Sequence, residues 1–543
     1  MKKDHKTIQE DWYRKAVVYQ IYPRSFKDSN HDGIGDLEGI IEKLDYLNDG
    51  TAQSLGVNAI WITPIYKSPM KDFGYDIADY KDIDTLFGNL KIFDRLVKEA
   101  HKRGIKIMMD FVANHTSDEH PWFQASQSSR DNVKRDWYIW RDPKPDGSPP
   151  NNWLSLFGGS AWTLDKKTKQ YYMHSFLSSQ PDLNWRNQDV RNEMSNVLRF
   201  WLKRGVDGFR TDAMYHLVKD DQFRDDPPNP NYVAGKYEPY ESLLHIYSQG
   251  RPELMETANT LCHVLGEHSN NAYMISEVYL GLPQMVELYK ACDNGLHAPF
   301  NFNLMTLPWN GKSFKKFVDA FEEKLGPHDW PNYVMGNHDR SRVASRLGQE
   351  KARLAAMLQF TLRGMPFIYY GDELGMEDVK IPADKIVDPW GKNVQGFNVG
   401  RDPERTPMQW NTNVHAGFTD TDPWLPVASD YKKRNVETAL QDPDSMLSFY
   451  KDLIHSRTKS PALLTGSYIP LESGNENVFA FGRECASEKL LIAINFSGKE
   501  QRATMPVKGL MLCTTCSDEN VKKEVSATEL TLKPFQGLII KQA

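Results

Sequence analysis

Three carboxylates and one guanidinium stand out in this chain by type and spacing. Arg210 and Asp212 lie two apart in Gly205-Val206-Asp207-Gly208-Phe209-Arg210-Thr211-Asp212-Ala213. In a strand, residues i and i+2 face the same way, so both project together from the segment's end. A guanidinium beside a carboxylate keeps it ionised. An oriented, ionised carboxylate suits the nucleophile of a glycoside cleavage. On this stretch alone, a structural ion pair at a strand end accounts for the residues at least as well. Other short apolar runs end in chemistry too: Asp110 with Asn114 and His115, Glu277, and Asn337-His338-Asp339-Arg340. Each alone reads as a cap or a loop ion pair. Gathered on one rim, like charges repel and raise one another's pKa, which stability does not call for.

A parallel sheet would bring these ends together. Apolar runs at 16–22, 58–63, 105–111, 206–212, 272–277, 295–301, 332–336 and 366–370 read as strands. Amphipathic segments at 37–47, 90–103, 187–204, 314–325, 350–363 and 445–456 read as helices between them. Continuous apolar strands alternating with helices predict a parallel sheet covered on both faces, and eight of them predict a (β/α)8 TIM barrel. In such a barrel the working residues sit at the C-terminal ends of the strands. The rhythm breaks after strand three, where residues 115–186 are rich in Trp, Asn, Ser, Gly and Pro and predict an inserted, loop-rich subdomain. A second polar insertion spans about 372–440, and from 461 short β-like runs predict a C-terminal antiparallel β domain. The expected α/β organisation is barrel 1–114, insertion 115–186, barrel 187–460 and β domain 461–543.

Composition bounds the partners. With 543 residues, a net charge of -6 and 25% charged residues, nothing electrostatic points to nucleic acid or an anionic membrane. The charged start Met1–Lys6 is followed by no apolar run, and no stretch is long enough to span a bilayer, so a cytoplasmic location is expected. Five scattered cysteines do not read as a disulfide framework, and the lone Cys513-Thr-Thr-Cys516 lacks partners for a zinc site. The expected partner is a small molecule, and the expected assembly a monomer or weak homodimer.

The ordered segments Asp110-Phe-Val-Ala-Asn-His115, Gly208-Phe-Arg-Thr-Asp212, Met274-Ile-Ser-Glu277 and Asn337-His-Asp339 resemble the signature regions of the α-amylase superfamily of glycoside hydrolases. Gln180-Pro-Asp-Leu-Asn184 and Arg405-Thr-Pro-Met-Gln-Trp410 are similar to stretches of its oligo-1,6-glucosidase and α-glucosidase branch. The resemblance implies Asp212 as nucleophile, Glu277 as general acid and then base, and Asp339 as the stabiliser of an oxocarbenium-like transition state. It implies Asp76, Asp110, His115, Arg210 and His338 around the terminal glucose, Tyr75 as an aromatic platform, and Arg401 with Asp402 on the far side. Phe157, Phe176 and Gln180 are expected to line the substrate. Apolar surroundings and two nearby aspartates are expected to raise Glu277 toward neutral.

Asp28-Ser-Asn30-His-Asp32-Gly-Ile34-Gly-Asp36 places oxygen donors at alternate positions, like the front half of a Ca²⁺ loop. The twelfth position is Gly39 instead of Glu, so spacing alone leaves a polar loop without an ion equally open. The resemblance implies a structural Ca²⁺, with Mg²⁺ the alternative, held by Asp28, Asn30, Asp32, the Ile34 carbonyl and Asp36. Ala213 follows the nucleophile; in this branch Val there accompanies α-1,6 cleavage and a smaller residue α-1,4 cleavage. The expected activity is a retaining, exo-acting α-glucosidase on short substrates such as maltose. An oligo-1,6-glucosidase (isomaltase) and a sucrose- or maltose-isomerising transglucosidase are the alternatives.

Overall fold

The computed structural model describes residues 11–268, 271–292, 295–326, 328–516, 521 and 523–543. The charged start Met1–Lys6 lies outside the described residues. Eight parallel strands form the central sheet: β1 Val18–Ile21, β2 Ala59–Ile62, β3 Lys106–Val112, β4 Gly208–Asp212, β5 Tyr273–Ser276, β6 His297–Pro299, β7 Asn332–Tyr333 and β8 Met365–Tyr369. Their order in the sheet is 6-5-4-3-2-1-8-7. Hydrogen bonds close the remaining seam: the Val334 N–H donates to the Asn301 carbonyl (3.2 Å), and Asn332 Nδ2 to the Pro299 carbonyl (2.8 Å). This is the expected barrel.

Register decides what meets at the rim. Asp110 on β3 pairs with Arg210 on β4. Arg210 also pairs with Ile275 on β5, so Glu277, two residues on, emerges level with Asp212. The side-chain period of two then points Asp110, Arg210 and Asp212 to one face.

The covering helices form where apolar residues recur at helical spacing. Leu90–Lys102 buries Phe93, Leu96, Val97 and Ala100, and Asn89 caps it by accepting from the Ile92 N–H. Gln188–Lys203 and Gly311–Lys324 are built alike, with Asn187 and Asn310 as caps. The expected single helix over 37–47 is two short ones, Leu37–Glu42 and Leu44–Leu47, because Lys43 between them leaves helical geometry.

The segment 115–186 holds the helix Pro121–Ser128 and a three-stranded sheet of Trp140–Arg141, Tyr171–Met173 and Trp162–Leu164. The helix escaped the sequence pattern because it is only eight residues long and buries just Phe123 and Ser126, too few for a clear apolar stripe. The C-terminal antiparallel sheet runs Ser467–Pro470, Val478–Cys485, Glu488–Asn495, Gly537–Gln542, Val507–Thr514, Glu524–Ala527 in spatial order.

The cysteines correct one expectation. Cys262 and Cys292 form a disulfide, Cα to Cα 5.9 Å, joining helix Leu254–Gly266 to the segment that follows helix Leu282–Tyr289. Their spacing in the chain conceals this, since 30 residues and the strand β5 separate them. No helix among the described residues is long and apolar enough to cross a membrane.

Candidate active site

Arg210 is the hub. Its Nη1 meets Asp110 Oδ1 at 2.6 Å and Asp212 Oδ1 at 2.7 Å, and its Nη2 meets Glu277 Oε2 at 2.6 Å. The guanidinium read as a partner of Asp212 alone serves three carboxylates. Three carboxylates thus share one guanidinium and repel one another. Burial pushes the Asp212 carboxyl well up from the usual carboxylate range, Arg210 pulls it down, and Glu277 and Asp110 add to the rise. Burial likewise raises Asp110 to about 6, against Arg210. Asp110 is further held by Trp61 Nε1 (3.1 Å) and the Tyr75 hydroxyl (3.2 Å).

Ala213 ends the strand in the left-handed region, φ 43° and ψ 40°. That turn aims its N–H at Glu277 Oε2, 3.0 Å away. Ser276, which precedes the acid, has its hydroxyl 2.8 Å from His297 Nε2 on β6 and is thus satisfied across the strands.

Asp339 sits opposite. Its Oδ1 is 2.7 Å from Arg405 Nη2 and 3.4 Å from Arg401 Nη1, and its Oδ2 is 3.2 Å from His338 Nε2. Burial alone would raise it, but His338, Arg405 and Arg401 together hold it below the usual carboxylate range. His338 Nδ1 takes Gln20 Nε2 at 2.7 Å. Its Nε2 lies 2.6 Å from the Tyr75 hydroxyl. The Tyr75 and His338 rings stack at 5.6 Å.

The far wall is built from the two insertions. Arg401 Nη2 binds Asp72 Oδ1 (2.7 Å) and Asp388 Oδ1 (2.6 Å), and its guanidinium lies over the Phe157 ring at 4.9 Å. Phe157 packs on Phe176 (5.5 Å) and Trp390 (5.6 Å), and Phe176 on His115 (5.2 Å). Gln180 Nε2 reaches Asp72 Oδ2 at 3.1 Å and lies 3.2 Å from His115 Nε2. Asp402 instead holds the main chain of Val387 and Asp388.

Asp76 is the misplaced residue. It is fully buried and accepts from Ser68 Oγ (3.0 Å), the Lys71 N–H (2.9 Å) and the Asp72 N–H (3.0 Å). It braces its own loop and is not in the cluster; Asp72 takes that place. Phe73 (φ 50°) and Gly74 (φ 106°) turn the chain between the two aspartates. Arg405, Trp61, Gln20 and Asp388 were also missed as site residues, being partners of the expected ones.

The Asp28–Asp36 loop lies apart from this site. Asp28 Oδ1 accepts from the Asn30 and His31 N–H groups, and its Oδ2 from the Gly33 N–H and Thr419 Oγ1. Asn30 Oδ1 takes the Asp32 N–H, Asp32 Oδ1 the Ile34 N–H, and Asp36 caps helix Leu37–Glu42 through the Gly39 N–H. Among the described residues no three His, Cys, Asp or Glu side chains gather as a metal cluster. The donors on the loop are all hard oxygens, the set that suits Ca²⁺ or Mg²⁺.

Residues 20–466 match the alpha-amylase catalytic domain. The chain is 42% identical to an oligo-1,6-glucosidase of Heyndrickxia coagulans, over 90% of this chain and 92% of that one. It is 39% identical to an alpha-glucosidase of Culex pipiens, over 98% and 91%. A solved alpha-glucosyl transfer enzyme superposes with a TM-score of 0.90 at 38% identity, covering 98% of this chain and 100% of that one. Carboxylates, barrel and likeness along nearly the whole length agree: the chain belongs to the α-amylase family of glycoside hydrolases.

Proposed function

We propose that this protein is a retaining, exo-acting α-glucosidase that releases glucose from the non-reducing end of short α-glucosides. The carrying observation is that one guanidinium holds both Asp212 and Glu277. Two carboxylates tied to one side chain stand close together, as a retaining mechanism requires at about 5–5.5 Å. Asp212 attacks the anomeric carbon and expels the aglycone, whose oxygen takes the proton from Glu277. Glu277 then draws a proton from water, which frees glucose from Asp212. Asp339, kept ionised by two arginines, faces the positive charge that develops between these steps.

Aromatic walls support a closed pocket. Trp390 Nε1 donates to Glu238 Oε2 at 3.2 Å, tying the 372–440 insertion to the loop after β4. The small Ala213 favours α-1,4 bonds. The second reading, α-1,6 cleavage, is favoured by the oligo-1,6-glucosidase relative. Transfer of glucose to a sugar acceptor needs the same residues, and the structural neighbour is a glucosyl transfer enzyme. Asp212→Asn and Glu277→Gln each abolish hydrolysis of p-nitrophenyl α-glucoside; near-wild-type turnover in either refutes the reading.

The Asp28–Asp36 loop is proposed to hold a structural Ca²⁺ or Mg²⁺. Phe418, Thr419 and Thr421 of the second insertion bond to this loop, so an ion there would tie β1 to that insertion. The cytoplasmic location expected from the sequence stands against the Cys262–Cys292 bond, since persistent disulfides are rare in reducing compartments. Counting free thiols on protein isolated under alkylating conditions decides between them.

A further inference from the structure

Lys219 lies on the segment that follows the nucleophile's strand and is only 3% exposed. It has no part in the chemistry above. Its ammonium donates to Asp182 Oδ2 (2.6 Å), to Asn114 Oδ1 (2.8 Å) and to the His216 carbonyl. Asp182, from the 115–186 insertion, also accepts from the Ser175 N–H (2.9 Å), the Ser175 hydroxyl (2.5 Å) and Asn114 Nδ2 (3.1 Å).

Charge neutralisation accounts for the Lys219–Asp182 pair. It does not account for the bond to Asn114. An ammonium only donates, so it must face the carboxamide oxygen. That fixes which way the carboxamide is turned, and Nδ2 is left facing His115 Nδ1 at 3.2 Å. Nδ2 only donates, so His115 Nδ1 must be the accepting, unprotonated nitrogen. The ring proton is then on Nε2, 3.0 Å from the Tyr75 carbonyl, which only accepts. The Asn114 and Tyr75 contacts call for this tautomer, against Gln180 Nε2, which lies 3.2 Å from the same ring nitrogen. Burial keeps the ring neutral, pushing His115 down to about 4.

We propose that Lys219 is a positioning residue of the glucosyl site: through Asn114 it locks His115 as the Nε2–H tautomer, and His115 anchors the main chain beneath Tyr75. Tyr75 bonds His338 and Asp110, and Asp72 stands three residues before it, so this anchor sets the floor and one wall of the pocket. Without the ammonium, the carboxamide oxygen loses its donor and the Asp182 contact alone opposes its turning over. Its oxygen then faces Nδ1, the imidazole proton moves to Nδ1, and the Nε2 lone pair opposes the Tyr75 carbonyl. The inference rests on the glucosidase reading for its readout alone.

Lys219→Met keeps the aliphatic stem and removes the ammonium. The expected result is a KM for p-nitrophenyl α-glucoside raised about 10-fold, with kcat within about threefold, as for a lost ground-state contact. In a His115→Ala background the same substitution changes kcat/KM by less than about twofold, because the group it acts through is gone. An equal loss in both backgrounds marks a purely structural lysine and overturns the proposal, as does an unchanged KM. Asn114→Asp keeps Lys219 paired but turns an acceptor toward His115. It carries the same expectation, decides the matter if Lys219→Met does not fold, and overturns the proposal if its KM is unchanged. Wild-type hydrolysis measured alongside tests the glucosidase reading separately.

Discussion

The main-chain N–H of Ala213 donates to Glu277 Oε2 at 3.0 Å. The residue after the nucleophile thus touches the acid, and it does so from a left-handed conformation at φ 43°. A β-branched side chain is strained there, by on the order of 1–3 kcal/mol. Ala213→Val is expected to lower Tm and to raise the ratio of isomaltose to maltose turnover. Calorimetry and a kinetic panel of maltose, isomaltose, sucrose and trehalose measure both. A wild-type preference for isomaltose refutes the α-1,4 assignment.

Arg210 opposes the rise in the Asp212 pKa that burial causes. Taking the guanidinium away therefore lifts Asp212 further, and the nucleophile ionises only at higher pH. For Arg210→Lys, whose ammonium cannot reach three carboxylates, the acid limb of kcat/KM should move to higher pH. The expected loss in kcat/KM is about 10²- to 5 × 10³-fold, the scale of breaking a buried pair at 3–5 kcal/mol. An acid limb that stays in place, or moves down, contradicts this account.

The two aspartates flanking the Phe73-Gly74-Tyr75 turn should separate cleanly. Asp72→Ala leaves Arg401 without one partner and should raise KM. Asp76→Ala strips three donors of their acceptor and should cost stability, about 1–3 kcal/mol for each group left unsatisfied. Thermal melts and Michaelis–Menten kinetics on both variants test the division; a selective KM effect in Asp76→Ala would reverse the roles.

The Cys262–Cys292 bond closes a chain separation of 30 residues around β5. Cross-links of this kind stabilise by about 2–4 kcal/mol, mainly through the unfolded state. Reduction, or Cys262→Ser, should lower Tm while kcat/KM at low temperature persists. A melt indifferent to reductant shows that the pair contributes nothing to stability.

Chelation probes the Asp28–Asp36 loop. If the ion is bound at 100 times its Kd, removing it costs about 2.7 kcal/mol. EDTA should lower Tm and added Ca²⁺ or Mg²⁺ restore it, with activity retained below the melt. An unchanged melt makes the loop a self-satisfied turn.

The eight strands and the ends that carry Asp110, Asp212, Glu277 and Asp339 were legible because a parallel strand buried on both faces must be apolar throughout. A charged residue at the end of such a run therefore announces itself. Asp76 and Asp72 were not separable this way. They share a residue type and a loop, and only the left-handed turn at Phe73 and Gly74 decides which one faces Arg401. The Cys262–Cys292 pair was illegible for a similar reason, since 30 residues separate two cysteines that only the folded chain brings to 5.9 Å between Cα atoms.

The sequence by itself determined the barrel, the order of its parts and the acidic residues at its rim. These follow from local periodicity and from residue type, both of which act over a few neighbouring positions. Tertiary structure decided that one guanidinium serves three carboxylates, that Asp72 and Arg405 complete the site, and that a buried lysine meets both Asp182 and Asn114 beside His115. Those relations join residues from different strands and from both insertions. Register and loop geometry set them, and neither is written in the spacing of any single segment.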